Sequence, residues 1–230
     1  MAELLAVVGE SGSGKTTSVR NLNPEKTFII STTGKRPGIK GANKKYSNFV
    51  IQDGKISGNF YASSNVDQIG KVLQIVDKKM PHITTIVVDD YQYVMGFEAM
   101  DRAKEKSFDK FTDIAQHAYQ VLKTAMNLRD NLNVVILSHS ENIGDSITPM
   151  YRMKTLGKML NSVITLEGLF TYVFFTTILR DDDNNPSYKF VTNSDGTCTA
   201  KSPMGLFDSL YIDNDLNYVI ECIKKYNEED

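Results

Sequence analysis

The chain alternates short apolar runs with segments in which apolar residues recur every three or four positions. The apolar runs at 4–8, 27–31, 85–88 and 134–137 predict buried strands. The helical spacing at 66–76 and 111–128 predicts two amphipathic helices, the first capped by Ser64. Strands that alternate with helices predict an α/β fold, in which a mostly parallel central sheet is flanked by helices.

Further patterns complete the prediction. A short helix is expected at 14–22, a small hairpin around Asp53-Gly54, and a last helix at 216–223. Strands at 172–178 and 188–192 flank a polar turn, which predicts antiparallel strands near the C-terminal end. Residues 141–154 lack periodicity and contain Gly144 and Pro149, so a mobile loop is expected there. We expect one domain over 1–230, with the hairpin and helix of about 170–226 as its extension.

Composition narrows the class of protein. The 230 residues are 41% hydrophobic and 23% charged, enough to form a core, and the formal charge of −2 argues against a wholly basic coat for nucleic acid. No apolar run has the length of a membrane helix, and the N-terminus lacks the pattern of a secretory signal. Cys198 and Cys222 form no CxxC pair. We therefore expect no membrane partner and a reducing, cytoplasmic location.

A glycine-rich motif directly follows the first predicted strand and precedes a predicted helix. It reads G-x-x-x-x-G-K-T and comprises Gly9, Glu10, Ser11, Gly12, Ser13, Gly14, Lys15 and Thr16, followed by Thr17. Glycines let successive backbone N–H groups point at one phosphate, and the helix that follows adds its positive end. Lys15 would contact the β- and γ-phosphates, and the Thr16 hydroxyl would bind Mg²⁺. The motif predicts a site for a nucleoside triphosphate, most simply ATP, with Mg²⁺.

An acidic pair ends the predicted strand at 85–88. Asp89 would hold the Mg²⁺ shell, although an aspartate at this position also suits a helix N-cap. Asp90 would polarise the attacking water, or it would cap the helix that opens at Tyr91. Both alternatives remain open from the sequence.

The strand at 134–137 also ends in polar residues. Ligands bind beyond the carboxyl ends of parallel strands, so Ser138 and His139 would face the γ-phosphate, although a single His is more often structural. Glu141 is a second candidate for the general base. The expected loop at 141–154 and the basic residues that flank it supply candidate nucleic-acid contacts, which are Tyr151, Arg152, Lys154 and Lys158.

Several segments together resemble a known family. They are GESGSGKTT at 9–17, GKRPGIKG at 34–41, VVDDYQYVM at 87–95, SHSE at 138–141, the stretch 154–175, and AKSPMGLF at 200–207. This set resembles the phage-type P-loop ATPases with a RecA-like core (the phage nucleotide-binding AAA-domain family), which are related to the RecA and RadA recombinases. The resemblance implies Mg²⁺-dependent ATP hydrolysis and single-stranded DNA binding in recombination or strand annealing. It also implies assembly into a ring or filament, a possible single-strand-binding protein as partner, and a location in the host cytoplasm.

The resemblance also assigns roles and shows one departure. Lys201 stands where related ring ATPases carry a basic finger that reaches the γ-phosphate of a neighbouring subunit; otherwise it is an exposed strand lysine. RecA proteins have a catalytic glutamate after the strand that here ends at Ser31, but this chain continues Thr32-Thr33. Either Asp90, Glu10 or Glu141 replaces that glutamate, or hydrolysis is slow.

Three functions compete at this point. The first is an ATPase that acts on single-stranded DNA, and the second is a nucleotide-gated protein-interaction module with weak ATPase activity. The third is a small-molecule P-loop kinase. The motif permits this function, but the sequence contains no arginine-rich lid of the kind that such a kinase would need.

Overall fold

A computed structural model describes residues 1–156 and 159–228 of the chain. Its strands are β1 (Glu3–Gly9), β2 (Thr27–Ser31), β3 (Val50–Gln52), β4 (Lys55–Ser57), β5 (Phe60–Ala62), β6 (Thr85–Asp89), β7 (Asn133–Asn142), β8 (Tyr151–Met153), β9 (Tyr172–Arg180), β10 (Pro186–Val191) and β11 (Tyr211–Asp213). Its α-helices are α1 (Ala42–Lys45), α2 (Val66–Lys79), α3 (Gln92–Asp101), α4 (Asp109–Met126), α5 (Met159–Val163) and α6 (Leu216–Glu228). Short 3-10 helices cover Thr16–Asn21, Pro24–Lys26 and Leu166–Leu169.

The central sheet has the order β11-β10-β9-β1-β7-β6-β2-β5. The pairs from β9 through β1, β7, β6 and β2 to β5 are all parallel. The pairs β9–β10 and β10–β11 are antiparallel and lie at the C-terminal end of the chain. The predicted fold class is thus confirmed, and the arrangement is consistent with a P-loop NTPase fold.

Apolar residues of β1 alternate between two cores, one on each face of the sheet. Leu4, Ala6 and Val8 pack into the core that contains α2, α3 and α4. Leu5 and Val7 pack into the other core, with residues of α6 and of the 3-10 helix Thr16–Asn21. A strand that is covered on both faces needs an uninterrupted apolar run, which explains why the sequence predicts this strand so clearly.

The parallel register brings three strand ends together. Gly9, the last residue of β1, is paired with His139 of β7. Val88, next to Asp89 in β6, is paired with Ile136 of the same strand β7. Because β7 lies between β1 and β6, the glycine-rich loop and the acidic pair face each other across the end of one strand.

The segment 141–154 differs from the prediction of a mobile loop. β7 continues to Asn142, and β8 returns antiparallel to it, with Glu141 opposite Arg152 and Asn142 opposite Tyr151. The turn between the strands is closed by backbone N–H groups of Gly144 and Met150, which donate to the Asn142 side chain. The loop prediction is wrong at the two ends of the segment, because a three-residue strand is stabilised by cross-strand pairing, which leaves no periodic pattern in the sequence.

Two local predictions also need correction. The N-cap of α2 is Asn65, whose side chain accepts a hydrogen bond from the Gln68 backbone, rather than Ser64. The element after the glycine-rich loop is a 3-10 helix that begins at Thr16, instead of a helix over 14–22. The hairpin around Asp53-Gly54 and the last helix agree with the sequence prediction.

No helix in the described part of the chain is long and apolar enough to cross a membrane.

Candidate nucleotide site

The glycine-rich loop connects β1 to the 3-10 helix Thr16–Asn21, and its shape depends on its glycines. Gly12 and Gly14 have φ angles of 80° and 101°, in the region that favours glycine. A Cβ atom on Gly9 would lie 1.8 Å from the hydroxyl oxygen of Thr176 in β9. That threonine is also 2.5 Å from the Ser13 hydroxyl, so β9 supports the loop from one side.

Lys15 lies inside the curve of the loop. Its ammonium group donates to the backbone carbonyls of Gly9, at 2.9 Å, and Glu10, at 2.8 Å. Burial lowers the pKa of Lys15 from its usual value, and the negative charges of Asp90 and Asp89 oppose that shift. The side chain is thus held beneath the place where the loop amides would receive a phosphate.

Thr16 and Asp89 meet across the end of β7. The Thr16 hydroxyl donates to the Asp89 carboxylate, at 3.1 Å and 3.3 Å from its two oxygens. Burial, with the nearby charge of Asp90, raises the pKa of Asp89 to about 6. A hydroxyl oxygen and a carboxylate oxygen side by side are ligands that suit Mg²⁺. A bound cation would favour the ionised form of the carboxylate.

Asp90 follows Asp89 in a left-handed conformation, with φ of 60°. Its carboxylate lies 3.5 Å from Nε2 of His139. Burial acts to raise the pKa of Asp90, but the hydrogen bond and charge of His139, together with the charge of Lys15, lower it below its usual value. Asp90 provides no side-chain N-cap, since α3 begins at Gln92 with Tyr91 at the N-cap position. The side chain is therefore available, as an ionised carboxylate, to the space in front of Lys15.

Gln92 fixes the end of β7 relative to α3. Its side-chain oxygen accepts hydrogen bonds from the His139 backbone, at 3.1 Å, and from the Ser138 hydroxyl, at 3.3 Å. Ser138 is fully buried, so this hydroxyl orients Gln92 and is turned away from solvent. The strained turn at Asp90 is held from the other side by Thr32, whose hydroxyl donates to the backbone carbonyl of Asp90 at 2.7 Å.

A cavity of about 340 Å³ lies over the loop. The predicted residues that line it are Ser11, Gly12, Gly14, Lys15, Thr16, Thr17, Asp90 and His139. Tyr188 of β10 forms the remaining wall. The cavity therefore combines the glycine-rich loop, the Lys15 ammonium, the Asp90 carboxylate and the Tyr188 ring, and the Thr16 hydroxyl connects it to Asp89.

Other predicted residues lie elsewhere. Glu141 forms an ion pair with Arg152, 2.8 Å apart, on the β7–β8 hairpin and does not line this cavity. Lys201 makes a bridge to Val173 of β9, several residues before the level of the loop. Its predicted role in a neighbouring subunit stays a prediction.

The predicted nucleic-acid contacts are only partly placed. Tyr151 lines a second cavity of about 440 Å³, on the β9 side of the loop. The Lys154 backbone donates to the carbonyl of His139 at 2.8 Å, so this lysine lies beside the candidate site. Lys158 lies outside the described residues. The role of each in binding nucleic acid stays a prediction.

The residues of the site that the sequence analysis missed include Gln92, Tyr188 and Asn214. Gln92 stands two residues after Asp90. A polar residue in the first helical turn after a strand that ends in acidic residues is a weak sequence signal for a site residue. Tyr188 and Asn214 reach the loop only through the order β11-β10-β9-β1. No local pattern in the sequence indicates that placement.

No protein-family model matches the chain, and no curated protein matches it. A solved structure with a distant likeness is the genome packaging NTPase B204 from Sulfolobus turreted icosahedral virus 2, in complex with ATP-gammaS. The likeness has a TM-score of 0.38 and 12% identity, and covers 80% of this chain and 78% of that one. A likeness at this level carries no argument about function, which has to come from the site itself.

Proposed function

We propose that this protein is a Mg²⁺-dependent ATPase whose nucleotide state controls binding to single-stranded DNA, in an oligomer with a RecA-like core. The observation that carries the proposal is the meeting of Lys15, the Thr16–Asp89 pair and Asp90 around one cavity. These are the groups that phosphoryl transfer requires, namely a phosphate-binding loop, a cation site and an acceptor for the proton of water.

Each side chain has a defined task in this proposal. The loop amides and Lys15 bind the β- and γ-phosphates and offset the charge that develops on them. Thr16 and Asp89 would hold Mg²⁺, which supplies further neutralisation of phosphate charge when bound. Asp90, whose pKa is lowered so that the carboxylate stays ionised at neutral pH, accepts the proton of the attacking water. His139 positions that carboxylate through its Nε2 contact.

Asp90 is the preferred general base among the three acids that the sequence left open. It lines the cavity, whereas Glu141 is occupied by Arg152. Glu10 is an exposed residue of the loop, and its backbone carbonyl is the part that contacts Lys15. An acid next to Asp89 would thus take the place of the glutamate that is missing after Ser31.

The DNA part of the proposal rests on the β7–β8 hairpin. One strand carries His139 at the cavity and Glu141 further along, and the other carries Tyr151 and Arg152. A change at the γ-phosphate would therefore be transmitted along a continuous strand to an aromatic and a basic side chain. Such residues stack on bases and neutralise phosphates.

The test is ATP hydrolysis with Mg²⁺, measured with and without single-stranded DNA. Wild type is compared with Lys15→Ala, with Tyr151→Ala/Arg152→Ala, and with Lys55→Ala on the exposed hairpin strand β4 as the control. We expect turnover that requires Lys15 and rises with DNA, and a DNA response that the hairpin variant loses. Turnover in Lys15→Ala equal to wild type would contradict the ATPase proposal.

Two other outcomes would favour the competing functions. ATP binding without turnover or DNA response would favour a nucleotide-gated protein-interaction module. Transfer of the γ-phosphate to a small acceptor, found by product analysis, would favour a kinase.

A further inference from the structure

Asn214 lies against the glycine-rich loop with an unpaired amide. It follows β11, its side chain is 2% exposed, and neither its amide nitrogen nor its amide oxygen has a hydrogen-bond partner among the described residues. A Cβ atom built on Gly14 would lie 3.2 Å from the amide nitrogen and 3.4 Å from the amide oxygen. Buried amides are nearly always paired, so this amide indicates a missing partner.

Tyr188 approaches the same glycine as this amide and also lines the cavity. Its ring carbon Cδ1 would lie 3.1 Å from the same Cβ on Gly14, and the ring forms one wall of the cavity. Tyr188 is 45% exposed, so the ring has open space beside it. A rotation of this side chain would connect the amide with the cavity that holds Lys15 and Thr16.

The backbone around Asn214 is firmly attached to the nucleotide loop. Arg20, in the 3-10 helix after the loop, donates to the Asn214 carbonyl, and the Asn214 N–H donates to the Tyr188 carbonyl at 3.3 Å. The next residue, Asp215, accepts from the side chain of Asn21 at 2.6 Å. The backbone that carries the unpaired amide is therefore held at a fixed position relative to the phosphate loop, as the support of a recognition group should be.

We propose that Tyr188 and Asn214 form the subsite for the base of the nucleotide and select adenine. The inference rests on the proposed function, because it needs a triphosphate on the loop. The Tyr188 ring turns aside and stacks on the base, which uncovers the Asn214 amide. The amide oxygen then accepts from the exocyclic N6 group of adenine, and the amide nitrogen donates to the adjacent ring nitrogen.

The chemistry of the two edges explains the selection. An asparagine amide presents one acceptor and one donor, which match the donor and acceptor of adenine at N6 and N7. Guanine and hypoxanthine have an oxygen at position 6, so they present two acceptors on that edge. The Asn214 oxygen would then face an oxygen, and one polar group on each side would stay unpaired.

The two residues make different contributions, which an experiment can separate. Stacking on Tyr188 favours every purine alike, because each has a π-face. Hydrogen bonding to Asn214 favours adenine over bases with an oxygen at position 6. Loss of the ring should therefore change affinity without selectivity, whereas loss of the amide should change selectivity.

The experiment measures equilibrium binding of ATP, ITP and GTP, with Mg²⁺, to wild type, Asn214→Leu and Tyr188→Leu. We expect wild type to prefer ATP over ITP and GTP by roughly 5- to 150-fold, the discrimination that one bidentate pair provides. Asn214→Leu should abolish most of that preference. Tyr188→Leu should weaken all three nucleotides by roughly tenfold and leave their ratios unchanged.

Matched controls are Asn217→Leu, three residues further in α6, and Tyr211→Leu, on the neighbouring strand β11. Both should bind like wild type. If Asn214→Leu does not fold, the comparison of ATP with ITP on wild type still tests the amide, because the two ligands differ at position 6.

Equal binding of ATP and ITP by wild type would overturn the base subsite and leave the ATPase proposal intact. An equal loss of ATP and GTP in Asn214→Leu would also overturn it, because that is the result of a structural role. Failure of wild type to bind any of the three nucleotides would instead overturn the proposed function.

Discussion

The two sides of the phosphate loop differ in how their polar groups are paired. On one side Thr16 contacts Asp89, and Asp90 contacts His139. On the other side the amide of Asn214 has no hydrogen-bond partner among the described residues. The first side, which we call the acidic flank, is formed by the ends of β6 and β7. The second side, which we call the aromatic flank, consists of Tyr188 and Asn214. Asp89 and Asn214 are both buried, so exposure does not explain the difference in their pairing.

The difference in pairing indicates how each flank would interact with a bound nucleotide. The acidic flank holds its charges in fixed positions before any nucleotide arrives, as electrostatic catalysis requires. The aromatic flank keeps a hydrogen-bonding group unpaired, and such a group costs stability until a ligand supplies its partner. The paired charges of the acidic flank are consistent with catalysis, and the unpaired amide of the aromatic flank is consistent with selection of the nucleotide base.

The largest effect is expected from Asp90→Asn on the acidic flank. Asparagine tolerates the left-handed conformation of this position, so the fold should be retained. Loss of the general base should lower the rate of ATP hydrolysis by about 10²- to 10⁴-fold. Nucleotide affinity should stay close to that of wild type.

The measurement is phosphate release at saturating ATP, together with equilibrium ATP binding. Asp101→Asn, at the other end of α3, is the matched control. Retained turnover in Asp90→Asn would show that another acid is the base and that the acidic flank is not organised around this carboxylate.

A smaller effect is expected from Asp89→Asn, in the absence of nucleotide and Mg²⁺. The pKa of Asp89 is raised to about 6 by burial, so the folded state disfavours the ionised form. Above pH 6 this carboxylate therefore lowers the free energy of unfolding, and below its unfolded pKa of about 4 it does not. Removal of the charge should stabilise the protein at pH 8 by up to about 3 kcal/mol.

Chemical denaturation in EDTA at pH 8 and pH 4 checks the sign. The gain from Asp89→Asn should be present at pH 8, shrink as the pH falls through 6, and be absent near pH 4. A variant that is less stable than wild type at pH 8 would mean that the Thr16 contact outweighs the cost of burial.

The smallest effect is expected from Glu141→Gln, because Glu141 lies on the same strand as His139 but outside the acidic flank. Its ion pair with Arg152 is partly exposed, with 26% and 29% of the two side chains accessible, so it contributes at most about 1 kcal/mol. Turnover without DNA should stay within about fivefold of wild type, the equivalent of one such contact. Phosphate release under the conditions used for Asp90→Asn gives the comparison, and a hundredfold loss would return Glu141 to the candidates for the base.

The acidic flank could be predicted from sequence because its signals are local. Gly9 to Thr16 form one continuous motif, and Asp89 ends a β-branched run that predicts a buried strand. Asp90 was also predicted as a site residue, but the sequence did not favour it over Glu141 as the general base. That choice depends on the Arg152 contact, which forms only when β8 pairs with β7.

The aromatic flank could not be predicted, for a physical reason. Tyr188 and Asn214 are more than 170 positions from Gly14, and their approach depends on strand order rather than on any short pattern. An unpaired amide also leaves no trace in a sequence, since an asparagine after a strand usually signals a turn. The fold class was predictable from alternation alone, whereas the wall of the cavity depended on the complete sheet.

The attachment of Asn214 and Asp215 to the loop helix has a consequence for the order of folding. The partners of Arg20 and Asn21 come 194 positions later in the chain and are therefore translated after them. At a synthesis rate of roughly 5–20 residues per second, that interval is about 10–40 s. During this interval the nascent chain lacks the aromatic wall of the cavity. If Tyr188 and Asn214 select the base as proposed, that selection requires residues that are synthesised well after the loop.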